Sequence, residues 1–294
     1  MKNIHLLGIP MDLGQNRRGV DMGPSALRYA GLQPELERLG HDVHDAGNLT
    51  VPGPEQREAA VGDNRLQAVT RICQAVFDWG QNCPDDVFTL HLGGDHSISI
   101  GSVKAAAARH NNLGVIWVDA HADFNTPETS PSGNIHGMPV AVLTGAGADS
   151  LVNIGAGRTI PAQNIVQIGI RDVDDLEKAN LNQSGVHVFT MPMIDSRGMA
   201  AVARQALAKL NHCHRIHVSL DLDSLAPTEA PGVGTPVRGG LTYREAHLLM
   251  EMLGDSGRVC SADIVEVNPI LDRGNMTAEL AVELIASLLG KKIL

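Results

Sequence analysis

Residues 114–123 read GVIWVDAHAD, an apolar run that gives way abruptly to acidic and imidazole side chains. The run 114–118 is apolar at nearly every position, which is typical of a strand buried on both faces of a parallel sheet. In an extended chain residues i, i+2 and i+4 point to one side, so Asp119, His121 and Asp123 would converge. One Asp at a strand end is often only a helix cap, but three alternating residues of this kind predict a polar site.

Short β-branched runs alternate with helical patterns along most of the 294 residues. The predicted strands are 4–9, 42–44, 87–91, 114–118, 165–170, 186–189, 216–222 and 259–267. The predicted helices are 24–39, 64–79, 97–109, 198–210, 243–253 and 275–289. This order predicts a single α/β domain, residues 1–294, in which helices cover both faces of one parallel sheet. Ligands of such sheets collect at the carboxyl ends of the strands.

Composition narrows the function classes. An apolar fraction of 43% suits a large core, whereas 19% charged residues are too few for a disordered or coiled-coil chain. The formal net charge is −10 and no stripe of Lys and Arg is present, so nucleic acid is not an expected partner. The four cysteines form no CxxC pair and no apolar segment approaches a membrane span. We therefore expect a cytoplasmic protein that does not bind membranes.

Two further strand ends carry the same kind of side chain. Residues 216–223, IHVSLDLD, end in Asp221 and Asp223, and residues 89–97, TLHLGGDHS, turn at two glycines before His96. The combined set is His96, Asp119, His121, Asp123, Asp221 and Asp223. Four converging carboxylates would repel one another without cations. The set is too rich in oxygen for a structural zinc site and suits manganese, although cobalt, iron or nickel can use the same ligands. A pair of such ions would generate a hydroxide nucleophile.

The motifs GGDHS (93–97), DAHAD (119–123), SGNIHGMP (132–139), SLDLD (219–223) and EVNP (266–269) resemble the arginase family of ureohydrolases, in its bacterial type. The resemblance covers almost the whole chain. It implies a three-layer α/β/α sandwich around a roughly eight-stranded parallel sheet, with two Mn²⁺ ions per subunit. It also implies hydrolysis of L-arginine to L-ornithine and urea by a metal-bridging hydroxide, in a homo-oligomer that is a trimer or, as we expect here, a hexamer.

Site roles carry over by motif. The resemblance places one metal among His96, Asp119, Asp123 and Asp221, and the other among Asp119, His121, Asp221 and Asp223. It makes His136 a proton shuttle and Asp123 the group that passes a proton to the leaving amine. Outside the motif, His136 would be taken for a solvated loop histidine.

The loop SGNIHGMP resembles true arginases, in which it recognises the amino-acid end of the substrate. Residues implied to bind substrate are Asn125, Ser130, Ser132, Asn134, Asp174, Thr235 and Glu266. The first three match α-carboxylate contacts, Asp174 matches an α-amino contact, and Glu266 would face the guanidinium, unless it forms only a structural ion pair. Loss of a buried polar partner discriminates strongly, and agmatine, which lacks the carboxylate, would leave these groups unpaired.

Some features leave alternatives open. Where the family has an Asp before the Pro of DLDSLAP, this chain has Ala226, which could weaken the order of the loop. Ser130–Pro131 also departs from the usual loop. Arg171 is equally compatible with a substrate contact, a subunit contact and a surface ion pair. The alternative functions are another ureohydrolase, such as an agmatinase, guanidinobutyrase or formiminoglutamase, and a weakly active metal-binding regulatory protein.

Overall fold

The computed structural model describes residues 1–52 and 63–292, and its centre is a sheet of eight strands that pair only in parallel. The strands are β1 Asn3–Ile9, β2 Asp42–Asn48, β3 Phe88–Gly93, β4 Gly114–Val118, β5 Ile165–Ile170, β6 His187–Thr190, β7 Ile216–Asp221 and β8 Val259–Val265. Their order across the sheet is β2-β1-β3-β8-β7-β4-β5-β6. Residues 53–62 and 293–294 of the predicted domain lie outside the described residues.

Helices connect the strands. They are α1 Gly23–Tyr29, α2 Leu32–Arg38, α3 Asp63–Gln81, α4 Ser99–Arg109, α5 Pro139–Thr144, α6 Asp149–Val152, α7 Ile154–Gly157, α8 Asp175–Ser184, α9 Met191–Arg197, α10 Met199–Lys209, α11 Tyr243–Asp255 and α12 Met276–Leu288. Among the described helices, none combines the length and the apolarity needed to cross a membrane.

The core shows why the sheet is covered on both faces. Ile116 and Val118 of β4 pack in one apolar cluster with α10, α11 and α12. Val115 and Trp117, which alternate with them along the strand, pack in a second cluster with α4 and α5. Successive side chains of a strand point to opposite faces, so helices lie on each side and the molecule has three layers. The predicted three-layer α/β/α architecture is confirmed.

All eight predicted strands are confirmed. The helix predictions were wrong in two ways: one predicted helix is divided, and several helices were not predicted. The predicted helix 24–39 divides into α1 and α2 at Gly31, whose backbone is left-handed with φ +82°. The five helices α5 to α9 were not predicted. In α8 only Glu177 and Leu181 are buried, so the apolar periodicity that marks a helix is weak there.

The sheet order explains how distant motifs meet. Strands β3, β8, β7 and β4 are neighbours, although β3 and β8 are far apart in sequence. Because all strands are parallel, their carboxyl ends share one edge of the sheet. The segments that carry the predicted ligands leave from this edge.

Candidate metal centre

The six predicted ligands lie at the carboxyl ends of β3, β7 and β4, with β8 between β3 and β7 in the sheet. Asp119, His121 and Asp123 follow β4, Asp221 is the last residue of β7, and Asp223 lies in the 3₁₀ turn Leu222–Ser224. His96 begins the 3₁₀ turn His96–Ile98, which follows β3. The N-cap of this turn is Asp95, whose side chain accepts a hydrogen bond from the Ser97 N–H. The structure brings the side chains of all six predicted ligands close together.

Three carboxylates surround one nitrogen of His96. The Nδ1 atom lies 3.1 Å from Oδ2 of each of Asp119, Asp123 and Asp221. All four residues are buried. His96 Nδ1 and Asp123 Oδ2 nevertheless have no hydrogen-bond partner. A buried polar atom without a partner costs about 1–3 kcal/mol, so this cluster is incomplete without a cation.

The tautomer of His96 follows from a chain of buried hydrogen bonds. Asp263 accepts bonds from Ser219 Oγ at 2.6 Å, from Ser102 Oγ at 2.5 Å and from His217 Nε2 at 2.9 Å. Because the Ser219 hydrogen is donated to Asp263, the Ser219 oxygen must accept the bond from His96 Nε2, 2.8 Å away. His96 therefore carries a proton on Nε2, which leaves Nδ1 as the ring nitrogen that faces the three carboxylates and that a metal ion would bind.

A second cluster shares Asp119 with the first. His121 Nδ1 lies 3.0 Å from Asp223 Oδ2 and 3.6 Å from Asp119 Oδ1. Asp119 thus directs one oxygen to each histidine, and its two oxygens belong to two groups able to hold a metal ion. The His121 side chain is 29% exposed, whereas His96 is 1% exposed. The second cluster is therefore the more open of the two.

The closeness of these buried carboxylates and imidazoles shifts their pKa values. Burial and the neighbouring Asp119 raise the pKa of Asp123 to about 6, and burial with nearby carboxylates raises that of Asp221 well above its ordinary value. Burial opposes ionisation of Asp119, but the imidazoles of His121 and His96 hold its pKa well below the usual range. Buried carboxylates that resist ionisation around an imidazole nitrogen fit divalent cations bound through nitrogen and oxygen.

Glu266 occupies a strained position at the end of β8. Its backbone has φ +65°, which costs a non-glycine residue about 1–3 kcal/mol. Its Oε1 accepts from the His96 N–H at 3.0 Å and lies 3.0 Å from His136 Nδ1, and Oε2 accepts from Gln15 Nε2 at 2.8 Å. Burial opposes protonation of His136, but the Glu266 carboxylate raises its pKa to about 9. Gln15 was not predicted, and no local motif marks it.

A cavity of about 260 Å³ opens onto the second cluster. It is lined by His121, Asp123, Asp221 and Asp223 and by most of the predicted substrate residues, namely Asn125, Ser130, Ser132, Asn134, Asp174, Thr235 and the shuttle candidate His136. Glu266 is fully buried and is not among the lining residues. Its predicted contact with a guanidinium stays a prediction.

The substrate loop is held by polar contacts that fix its side chains. Asn125 Nδ2 donates to Asp174 Oδ2 at 2.9 Å, and Ser130 Oγ lies 3.4 Å from Ser132 Oγ. Glu177 accepts from the main-chain N–H groups of Phe124 at 2.7 Å and Asp174 at 3.1 Å. Burial raises the Glu177 pKa to about 7. Sequence reasoning missed Glu177, although the spacing of Asp174 and Glu177 is that of a helix capping box.

Thr235 lines the cavity and also contacts a predicted metal ligand. Its Oγ1 donates to Asp223 Oδ2 at 3.0 Å, so it contacts a predicted metal ligand as well as the cavity. Ala226, the departure from the family pattern, lies on the same loop but is not among the cavity residues. The six-residue set is therefore intact despite this departure.

Comparisons with known proteins agree on one family. A model of that family, described as the Arginase family, matches residues 2–290. The chain is 51% identical to the arginase of Bacillus subtilis (strain 168), with 100% of the chain and 99% of that protein covered. It is 49% identical to the arginase of Bacillus caldovelox, with 100% of both covered. The native crystal structure of the latter superposes with a TM-score of 0.94 at 48% identity over 100% of both chains.

Proposed function

The chain belongs to the arginase family and hydrolyses L-arginine to L-ornithine and urea, and we propose that it does so with two manganese ions bound by its six converging side chains. The observation that carries this proposal is the position of His96 Nδ1, which lies 3.1 Å from an oxygen of each of three carboxylates. One ion would be held by His96, Asp119, Asp123 and Asp221. The other would be held by Asp119, His121, Asp221 and Asp223.

In this proposal the side chains of the protein hold the metal ions and transfer the protons. When bound, two divalent cations provide a water of lowered pKa as nucleophile and offset the negative charge that develops during attack. Asp123 Oδ2, which has no hydrogen-bond partner, can hold a proton and return it to the leaving nitrogen. His136 lines the cavity and can carry protons between the cavity and solvent.

The cavity also accounts for the choice of substrate. Asn125, Ser130 and Ser132 bind the α-carboxylate, and Asp174 binds the α-amino group. Asn134 and Thr235 complete the lining, and Glu266, which is buried beside His136 and does not line the cavity, is the proposed guanidinium contact. Agmatine would leave the carboxylate-binding groups unpaired, at a cost of about 1–3 kcal/mol for each group that stays buried.

The state of the protein in the cell belongs to the same proposal. We infer a single domain over residues 1–294, a cytoplasmic location, and a homo-oligomer that is a trimer or a hexamer. Shared apolar clusters on both faces of one sheet support the single domain.

Metal analysis paired with a urea-release assay tests the proposal. The metal-loaded full-length chain should contain about two manganese ions per subunit and release urea from L-arginine. Its kcat/KM should be higher for arginine than for agmatine, guanidinobutyrate or formiminoglutamate. Faster turnover of a compound without the α-carboxylate would show that this compound, and not arginine, is the preferred substrate. If no compound is hydrolysed, only a metal-binding role would remain.

A further inference from the structure

Arg171, the residue after β5, directs its guanidinium at the main chain of the loop that carries Asp223. Nη2 donates to Asp223 O at 2.6 Å and to Val237 O at 2.8 Å, and Nη1 donates to Ser224 O at 3.1 Å. In total the guanidinium reaches six main-chain oxygens, those of Gly169, Asp223, Ser224, Leu225, Val237 and Arg238. This use was not among the alternatives that the sequence left open.

The carbonyls bound by Arg171 come from three separate chain segments. A guanidinium presents five N–H groups in one rigid plane, so it can fix several acceptors relative to one another, which an ammonium group cannot do. Here it ties residues 223–225 to residues 237–238 across the loop that leaves β7. A second tie, the main-chain pairing of Ser224 and Ala226 with Leu241, closes the same loop.

Arg171 is also joined to the opposite side of the second cluster. Its main-chain N–H donates to Ala120 O at 2.8 Å, and the Ala120 N–H donates to Asp223 Oδ1 at 3.2 Å. Ala120 lies between Asp119 and His121. One residue therefore contacts both chain segments whose side chains form the second cluster.

The first cluster has a different support. His96 is held through Ser219 by Asp263, which lies inside the sheet on β8. None of these three residues is among the six bound by the Arg171 guanidinium. Loss of Arg171 should therefore affect the two clusters unequally.

We propose that Arg171 is a positioning residue for the cluster of Asp119, His121 and Asp223, because it holds the loop 223–238 so that the Asp223 carboxylate faces His121. The inference rests on the proposed function in one respect, namely that this cluster binds one of the two metal ions. The Arg171 guanidinium donates to main-chain oxygens, and Arg171 is not among the residues that line the cavity.

Arg258 offers a matched control. It is also half-buried, and its guanidinium also donates to main-chain carbonyls, those of Leu207, Leu210 and Cys213. It directly precedes β8 and therefore lies at the amino-terminal edge of the sheet, opposite the site. Arg258→Met removes three guanidinium bonds to main-chain carbonyls, half the number made by Arg171, without touching the loop.

The test compares Arg171→Met, Arg171→Lys and Arg258→Met in the full-length chain. Manganese binding is measured by calorimetric titration with elemental analysis, and hydrogen exchange of residues 222–241 is measured without metal. Arg171→Met should keep one tightly bound ion, bind the second about 10- to 100-fold more weakly, and exchange faster in the loop. Arg171→Lys should show a smaller change in the same direction, and Arg258→Met should bind both ions like the unmodified chain.

Three results would overturn the inference. The first is unchanged binding of both ions and unchanged loop exchange in Arg171→Met. The second is equal loss of both ions in that variant. The third is the same loss of manganese binding in Arg258→Met, which would indicate a general effect on stability. If Arg171→Met does not fold, Arg171→Lys decides between these outcomes. Failure of the unmodified, metal-loaded chain to hydrolyse arginine would refute the proposed function instead, and the titration would still decide the role of Arg171.

Discussion

Ser219→Ala should weaken manganese binding, because it removes the acceptor of the His96 Nε2–H. In Ser219→Ala with a metal ion on Nδ1, the buried Nε2–H of His96 would have no hydrogen-bond partner. In the metal-free variant the proton can move to Nδ1, beside the carboxylates. An unsatisfied buried donor costs about 1–3 kcal/mol. At about 1.4 kcal/mol per factor of ten, the first ion should bind roughly 5- to 150-fold more weakly.

Ser102→Ala is the matched control for this experiment. Ser102 and Ser219 each donate a short bond to Asp263, at 2.5 and 2.6 Å, but only Ser219 contacts His96. Both variants should lose comparable free energy of unfolding without metal, about 1–2 kcal/mol. Manganese titration should separate them, and Ser219→Thr, which keeps the hydroxyl, should restore affinity. Equal loss of affinity in the two alanine variants would refute the tautomer argument.

Further predictions concern the cavity and its charges. Glu266→Gln should lower kcat/KM for arginine about 10- to 100-fold with both metal ions retained, because a charge-assisted bond is worth about 1.5–3 kcal/mol; unchanged kinetics would exclude the guanidinium contact. Ser132→Ala should lower kcat/KM for arginine about tenfold and leave that for agmatine unchanged. The folded pKa of His136 is raised to about 9, so its contribution is complete below about pH 6.5 and is lost as pH rises to 9. Metal-free protein should therefore lose about 3 kcal/mol of unfolding free energy over that window in a denaturant titration, and His136→Gln should flatten the decline.

The features that could be predicted from the sequence are those marked by local periodicity, namely the strands and the acidic and imidazole residues that follow them. Several strands, such as β4, were found because they are apolar at nearly every position. Asp119, His121 and Asp123 were found because three metal-binding side chains rarely alternate by chance directly after such a run. The position of Asp221 followed from the same reasoning on β7. These signals lie within about ten residues of one another, which is why a single sequence suffices.

Contacts between distant residues could not be predicted in this way. Gln15 meets Glu266 across 251 residues of chain, and His96 meets Ser219 across 123. An isolated Gln or Ser has no pattern that marks it, and its role depends on the order of strands in the sheet. The family resemblance named the residues at the surface of the cavity but not the buried chain from Ser219 to Asp263, which determines the protonation state of His96.

Ala226 shows how such distant contacts alter the interpretation of a sequence difference. Its replacement of the usual acid suggested a poorly ordered loop. In the structure the Ala226 N–H donates to Leu241 O at 2.9 Å, and its carbonyl accepts from the Glu229 N–H at 2.8 Å. The neighbouring carbonyls at 223–225 are bound by Arg171. Main-chain groups therefore order this loop, and a carboxylate at position 226 is not required to present Asp223 to the second cluster.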